Sequence, residues 1–415
     1  MYDFFLLLIG IIALPKLLYQ MAFHKKYRNS LKQRVGIGFP EINKGKKTLI
    51  WVHAVSMGET KAIAALAKKL KKRSENVILL FSTVTETGLA EGKKSIPEAD
   101  YHVFLPFDFN WIIKPIVKRV KPDRVILCET DFWYNFLNAS KAEGAHLSVV
   151  NGKISVDSLK RFLKFPSFSR KLFSLIDSYC VQSNHYKERF LQLGIPEEKI
   201  TVTGNIKFDS SFPKLSKEEL NNWKLKLGIQ PDDHVLVAGS THDPEEKIIL
   251  EACEKVWKTD PKLKVLIVPR HPERFDEVAQ LLKKRGIEFS RYSEKSSRET
   301  PVVLVDAMGV LRQCYQSATL AVVAGSYTPK VGGHNIVEPC WYGVPVLFGP
   351  HLHSQPELLE LVKEYQAGIQ VDSSQLSHAI ERLLLDTEQR KSLGQAGSRL
   401  VADLKGATDR TINAL

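Results

Sequence analysis

Short runs of β-branched and aliphatic residues recur along this chain with helix-length segments between them, and the series occurs twice. Leu49–His53, Val77–Ser82, Arg124–Cys128, His146–Val150 and Ser178–Gln182 form the first series. His234–Gly239, Lys264–Val268, Val302–Val305, Leu320–Ala324 and Val344–Phe348 form the second. Runs that are apolar throughout predict strands buried on both faces, and such strands separated by helices predict βαβ units with parallel sheets. Between the series, Ser210, Ser211, Pro213 and Ser216 cluster within Asp209–Leu220 and predict a linker. A length of 415 residues also exceeds what one core serves. The expected fold class is α/β, with two doubly wound, Rossmann-like domains at 35–212 and 213–415, the second closing on helices from Leu376 onward.

Residues 1–34 read as a membrane anchor and basic juxtamembrane segment. Phe4–Leu14 is an apolar run, broken by Pro15 and Lys16 and resumed at Leu17, Leu18 and Tyr19 up to Phe23, and a spanning helix needs roughly 20 mainly apolar residues. A half-buried, monotopic helix fits equally well. A signal peptide would open with positive charge, whereas this chain opens Met1-Tyr2-Asp3. Lys25, Lys26, Arg28, Lys32 and Arg34 follow the apolar run, which places everything downstream in the cytoplasm.

Charge is divided unevenly. Residues 1–212 carry 33 Lys/Arg against 19 Asp/Glu, while residues 213–415 carry 26 against 27, so the first half holds the whole excess of +13. Such an excess suits an anionic membrane surface or nucleic acid. The chain has no zinc-finger spacing, arginine-rich tail or RNA-binding aromatic signature, so no nucleic-acid partner is expected. A further stretch, Lys160-Arg161-Phe162-Leu163-Lys164-Phe165 with Phe168, Arg170, Lys171 and Phe173, mixes cations with aromatic rings and predicts a lipid-facing surface. Cys128, Cys180, Cys253, Cys314 and Cys340 are dispersed singly and read as reduced core thiols.

In doubly wound folds ligands lie beyond the carboxyl ends of strands, so the residues there carry the candidate chemistry. Gly332-Gly333-His334-Asn335 with Glu338 follows Leu320–Ala324; a helix starting near His334 would offer N–H groups to a phosphate and Glu338 to a ribose. The bland reading is a turn. Ser240-Thr241-His242 and Arg270-His271 close two other strands with groups suited to phosphate, and Met308-Gly309 follows a fourth, where backbone could read a base edge. Neither a P-loop nor a G-x-G-x-x-G fingerprint is present. In the first half, Ser56 and Glu59 have capping-box spacing, and spacing alone favours that role. Glu59 nonetheless sits where a hydroxyl-activating base would stand. Glu129 and Asp131 alone make no metal site, and neither a metal nor a cofactor is expected.

Taken in order, these motifs resemble the 3-deoxy-D-manno-octulosonic acid (Kdo) transferases that act on lipid A precursors. The likeness rests on Arg34 with Gly36, His53-Ala54-Val55-Ser56-Met57-Gly58-Glu59-Thr60, Leu105-Pro106-Phe107-Asp108, Glu129-Thr130-Asp131-Phe132-Trp133, Val202-Thr203-Gly204-Asn205-Ile206-Lys207-Phe208-Asp209, Pro269–Phe275 and Gly332–Asn335. Asp131 stands where the family often has Glu, and Met57 where Val is common. The resemblance implies a GT-B fold, two Rossmann-like domains with sheets facing a central cleft, acceptor on the first and nucleotide sugar on the second. It implies CMP-Kdo as donor, a lipid A precursor as acceptor, inversion at the anomeric centre and a seat at the inner membrane in lipopolysaccharide core synthesis. Glu59 becomes the general base, with Arg34, Ser56, Gly58 and Glu129 on the acceptor side. Lys207, Ser240, Thr241, Arg270, His271, Met308, Gly309, Gly332, Gly333, His334, Asn335 and Glu338 become donor residues. Rival readings are a GT-B transferase using a UDP-sugar, a sugar-nucleotide epimerase, and a membrane-binding module without catalysis.

Overall fold

Every strand pairing found in the computed structural model, which describes residues 2–23, 30–209, 213–294 and 299–415, is parallel. The chain forms two compact units, Met1–Ser210 with Leu404–Leu415, and Ser211–Asp403. In the first, β1 (Thr48–His53), β2 (Val77–Thr83), β3 (Tyr101–Phe104), β4 (Arg124–Cys128), β5 (His146–Gly152), β6 (Ser178–Val181) and β7 (Ile200–Val202) lie in the order β3-β2-β1-β4-β5-β6-β7. In the second, β8 (His234–Thr241), β9 (Leu263–Pro269), β10 (Phe289–Arg291), β11 (Val302–Leu304), β12 (Leu320–Val323), β13 (Val346–Phe348) and β14 (Gly368–Gln370) lie in the order β10-β11-β9-β8-β12-β13-β14. Strand order reverses between β1 and β4 and between β8 and β12, and at such switch points the loops diverge to leave a crevice.

The continuous apolar runs have a direct cause. Leu49 and Trp51 of β1 enter one core cluster while Ile50 and Val52 enter the other, so both faces of the sheet are covered and neither set of positions can be polar. Helix Met57–Lys72 covers one face with Ile63, Leu66, Ala67 and Leu70 buried at helical spacing, and Lys69, Lys71 and Lys72 in its last turn complement the dipole. All five cysteines are buried and unpaired, as small core residues.

Four strands, β3, β7, β10 and β14, have no counterpart among the expected ones, and all four are sheet edges. The expected extent of the second domain, 213–415, also needs correction. Leu404–Leu415 returns to the first unit, because Asp209 accepts hydrogen bonds from the backbone N–H of Gly406, at 2.6 Å, and of Thr408. Thr411 and Arg410 bond Thr203, and Ile412 is buried in the core that lies against β2.

The apolar N-terminal run forms helix Tyr2–Phe23. Its first residues dock on the first unit: the Tyr2 hydroxyl donates to Asp108 at 2.9 Å, and Asp3 accepts from Asn135 at 2.5 Å. Phe4, Phe5, Ile9, Ile11 and Ile12 are exposed. Among the described residues no helix is long and apolar enough to cross a membrane. Lys25, Lys26 and Arg28 lie outside the described residues. The basic, aromatic stretch is two short helices, Val156–Lys164 and Pro166–Phe173, meeting at Phe165. Its four phenylalanines do not share one surface, since Phe173 is buried and Phe162 half-buried, while Phe165 and Phe168 face solvent.

Candidate active site

The turn after β1 positions Glu59. Ser56 caps the helix by accepting from the Glu59 N–H at 3.3 Å, and the Glu59 carboxylate folds back to accept from the Val55 N–H and the Ser56 hydroxyl, each at 2.9 Å. The cap is therefore present, displaced by one residue from the usual reciprocal pair, in which the carboxylate takes the cap residue's own N–H. Burial pushes the Glu59 carboxyl up, the two hydrogen bonds oppose this, and the charges of Asp131 and Glu129 push it further up. A carboxylate raised in this way accepts a proton more readily than an exposed one. Gly58 leaves the adjoining surface open: a Cβ there would meet only the Ser56 Oγ, at 3.9 Å.

Across the switch point, Glu129 follows β4 with a left-handed φ of 65° and is buried. Its two oxygens take Lys207 Nζ at 2.6 Å and Lys153 Nζ at 2.7 Å, and Asn151 adds a hydrogen bond at 3.3 Å. Burial alone would raise this carboxyl, but the two ammonium groups overcome it and hold it below the ordinary value. Lys207, expected among the donor residues, belongs to the first unit and is ion-paired with Glu129 there. Arg34 is buried, its guanidinium engaging Ser30, the Val84 carbonyl and the Phe104 ring, which braces the loop after β2 rather than presenting a free cation. Lys153, Asn151 and the electrostatic part played by Asp131 went unrecognised in the sequence. Asn151-Gly152 at the end of an apolar run was the available signal.

In the second unit a cavity of about 280 Å³ is lined by Ser240, Arg270, Met308, Gly309, Arg312 and Glu338 among others. Five of the expected donor residues thus converge from the ends of β8, β9 and β11 and from the segment after β12. Burial raises the Glu338 carboxyl, and Arg312, 3.6 Å away, and Arg270 pull it back. Thr241 is not part of this lining, being fully buried with a hydroxyl that meets no hydrogen-bond partner among the described residues.

The helix expected near His334 is absent. The Asn335 side chain accepts from the Val337 N–H at 3.0 Å, and after Pro339 the chain makes only a 3₁₀ turn, Pro339–Tyr342, closed by left-handed Gly343. No helix dipole is available for a phosphate there, and positive charge comes from Arg270 and Arg312 instead. At Gly332 and Gly333 the space that a side chain would take is filled by protein. Both are left-handed, and a Cβ would lie 2.4 Å from the His353 ring at the first and 2.2 Å from Leu352 at the second.

His334 stacks on His242 with their Nε2 atoms 2.7 Å apart, and His271 approaches His242 edge-on. Burial, then His242 and Arg270, lowers His334 to about 4, and burial with neighbouring cations also lowers His242, so at neutral pH this is an uncharged pair sharing one hydrogen bond. Glu245 holds these loops together. Fully buried, it accepts from the N–H groups of His242, Gly325 and Tyr327 at 3.1, 2.7 and 2.9 Å, tying the end of β8 to that of β12. Among the described residues no group of three His, Cys, Asp or Glu side chains could hold a metal.

Comparison with known proteins agrees with this layout. Residues 29–210 match the family described as 3-deoxy-D-manno-octulosonic-acid transferase, and residues 221–400 match glycosyl transferases group 1. A 3-deoxy-D-manno-octulosonic acid transferase of Chlamydia muridarum is 36% identical over 99% of this chain and 95% of its own, and one of Haemophilus influenzae is 32% identical over 94% and 91%. Among solved structures, a glycosyltransferase of Rickettsia africae shares the fold at a TM-score of 0.60 and 17% identity, covering 89% of this chain and 97% of its own. A UDP-GlcNAc 2-epimerase of Neisseria meningitidis does so at 0.59 and 14%, covering 88% and 99%. The fold alone therefore does not separate transfer from epimerisation.

The raised Glu59 carboxyl has a signature in stability. Its folded value lies above its unfolded one, so the cost of ionising it is absent below the ordinary carboxylate range of about 4.3, grows as pH rises, and is complete above the folded value. Glu59→Gln removes that cost. Its Tm at about pH 7.5 should be no lower than that of the parent chain, with any advantage shrinking towards about pH 4. A melting scan showing a lower Tm at both values would mean that the lost cap outweighs burial.

Proposed function

Because the chain belongs to the 3-deoxy-D-manno-octulosonic acid transferase family and is a glycosyltransferase, we propose that it moves Kdo from CMP-Kdo to a lipid A precursor with inversion at the anomeric carbon. The observation that carries this reading is the contrast at one switch point between Glu59, a buried carboxylate with a raised proton affinity, and Glu129, already neutralised by two lysines. As the acceptor oxygen bonds to the anomeric carbon, its proton passes to Glu59, and the bond from that carbon to the phosphate oxygen breaks with its electrons leaving on CMP. A phosphate needs no proton to depart, so a single base suffices, unlike the carboxyl pair of a glycoside hydrolase.

In this reading Arg270 and Arg312 balance the phosphate, Glu338 takes ribose hydroxyls, and the backbone at Met308 and Gly309 borders the base. No metal is assigned, because these cations supply the charge. Glu129 orients Lys153 and Lys207, whose half-exposed ammonium groups suit an anionic, phosphorylated glycolipid. The reading includes a seat at the inner membrane with the catalytic units on the cytoplasmic side, and the exposed apolar side chains of helix Tyr2–Phe23 support attachment to a lipid surface.

Mass spectrometry of lipid products from CMP-Kdo and a tetraacylated precursor tests the activity directly. In that assay Glu59→Gln should lower turnover by roughly 10²–10⁴-fold with CMP binding intact. Near-normal turnover would return Glu59 to a capping role.

Calorimetry tests the donor site separately. Glu338→Ala and Arg270→Ala should each weaken CMP binding by about ten- to a hundredfold, the loss of one charge-assisted hydrogen bond. Unchanged affinity in both, or stabilisation by UDP and not CMP, would place a different nucleotide or a different site.

Membrane docking has its own readout. A chain lacking residues 1–23 should still sediment with anionic liposomes, release as salt rises, and lose that binding when Lys160, Arg161, Lys164, Arg170 and Lys171, all exposed, become Gln. Indifference to anionic liposomes at low salt would leave the N-terminal helix as the sole attachment.

A further inference from the structure

A second cavity opens in the first unit, where the loop after β4 meets helices Val156–Lys164 and Pro166–Phe173, and encloses about 490 Å³. Its inner surface is aromatic. Phe132 and Phe162 rest edge-on against buried Phe173, at ring distances of 5.1 and 5.0 Å, so they are fixed in place. Phe165 and Phe168 line the cavity nearer to solvent and remain 67% and 36% exposed, which is costly for two rings unless something apolar covers them. The polar groups of the lining are Thr130, Asp131, Ser158, Arg161 and Ser169.

Two observations say what covers it. On one side Phe168 stacks on Tyr2 at 5.8 Å, so the slot adjoins the root of the helix whose exposed side chains are apolar, and a chain leaving a bilayer beside that helix reaches the slot over hydrocarbon. On the other side is Asp131, whose charge acts on the Glu59 carboxyl, so an apolar chain seated here carries its polar head beside the base. Arg161 lines the cavity, and Lys160 and Lys164 on the same helix are exposed, so the helix carries positive charge complementary to an anionic head group. A cavity of this size, apolar inside with a few polar groups, has the character of a small-molecule site.

We infer that this slot binds one fatty-acyl chain of the glycolipid acceptor and thereby sets the acceptor's head group against Glu59. The inference rests on the acceptor being a lipid, as proposed above, but the slot can be tested without turnover. The probe is cis-parinaric acid, whose fluorescence rises in an apolar site. The parent chain should bind it saturably and release it to tetradecanoic acid but not to butanoic acid. Ser158→Trp, at a half-buried helix position, puts an indole into the slot and should abolish binding, while Phe165→Ser, at an exposed position, should weaken it. Both variants should keep the parent's affinity for CMP and its sedimentation with anionic liposomes, which shows that they are folded and that surface adsorption is not what the probe reports.

With the tetraacylated precursor, Ser158→Trp should raise KM by roughly tenfold, the cost of leaving a few methylenes in water. Absence of saturable probe binding in the parent chain, or equal binding in Ser158→Trp, would overturn the slot. Failure of the parent chain to transfer Kdo to any acceptor would instead overturn the proposed reaction, with the fatty-acid measurement still deciding the slot.

Discussion

Parallel strand direction is the constraint on which the rest depends. When every strand in a sheet runs the same way, all carboxyl ends fall on one edge, and the chain must cross back through a helix before starting the next strand. The loops at that edge are then free of the task of pairing strands. At the two switch points neighbouring loops turn opposite ways, and Glu59 and Glu129 in the first unit, like Ser240 and Gly325 in the second, stand at such positions. Burial of both sheet faces keeps these edges stiff, since no strand can slip register without exposing a full apolar row.

Electrostatics then separates groups of the same chemical type. Glu59 and Glu129 are both buried carboxylates at one switch point, yet burial and like charge raise the first, while Lys207 and Lys153 lower the second. Pushing two proton affinities apart in this manner lets one act as a base while the other stays charged and organises cations. In the second unit the same logic removes charge from histidine, since burial and neighbouring positive charge lower both members of the His242–His334 pair. Glu245 is the counterpart of Glu129 there, a buried carboxylate satisfied wholly by backbone N–H groups of two loops.

Much of this was legible in one dimension, and the misses share a cause. The expected strands are central ones, because two buried faces leave a continuous apolar run. The unrecognised β3, β7, β10 and β14 are edges, where one side of the ladder lacks a neighbour and residues such as Thr201 and Gln370 are tolerated. Glycines at 332 and 333 announced a special backbone, but whether ligand or protein fills the space beside a glycine is set by a distant segment, here Leu352 and His353. Lys207 stood in a recognisable motif, yet which carboxylate it meets depends on how residues far apart in sequence are brought together.

By itself the sequence determined the α/β class, the doubling of the fold and the family, because hydrophobic period, strand-end position and motif order are local properties of the chain. Tertiary structure alone decided that Leu404–Leu415 completes the first unit, that Glu129 is ion-paired while Glu59 meets no such partner among the described residues, that no helix begins at His334, and that Phe132, Phe162, Phe165 and Phe168 line a slot while Phe173 is buried. Each of these turns on which groups from distant parts of the chain share a low-dielectric or apolar volume, and hydrogen bonds, ion pairs and cavities exist only once that volume has closed.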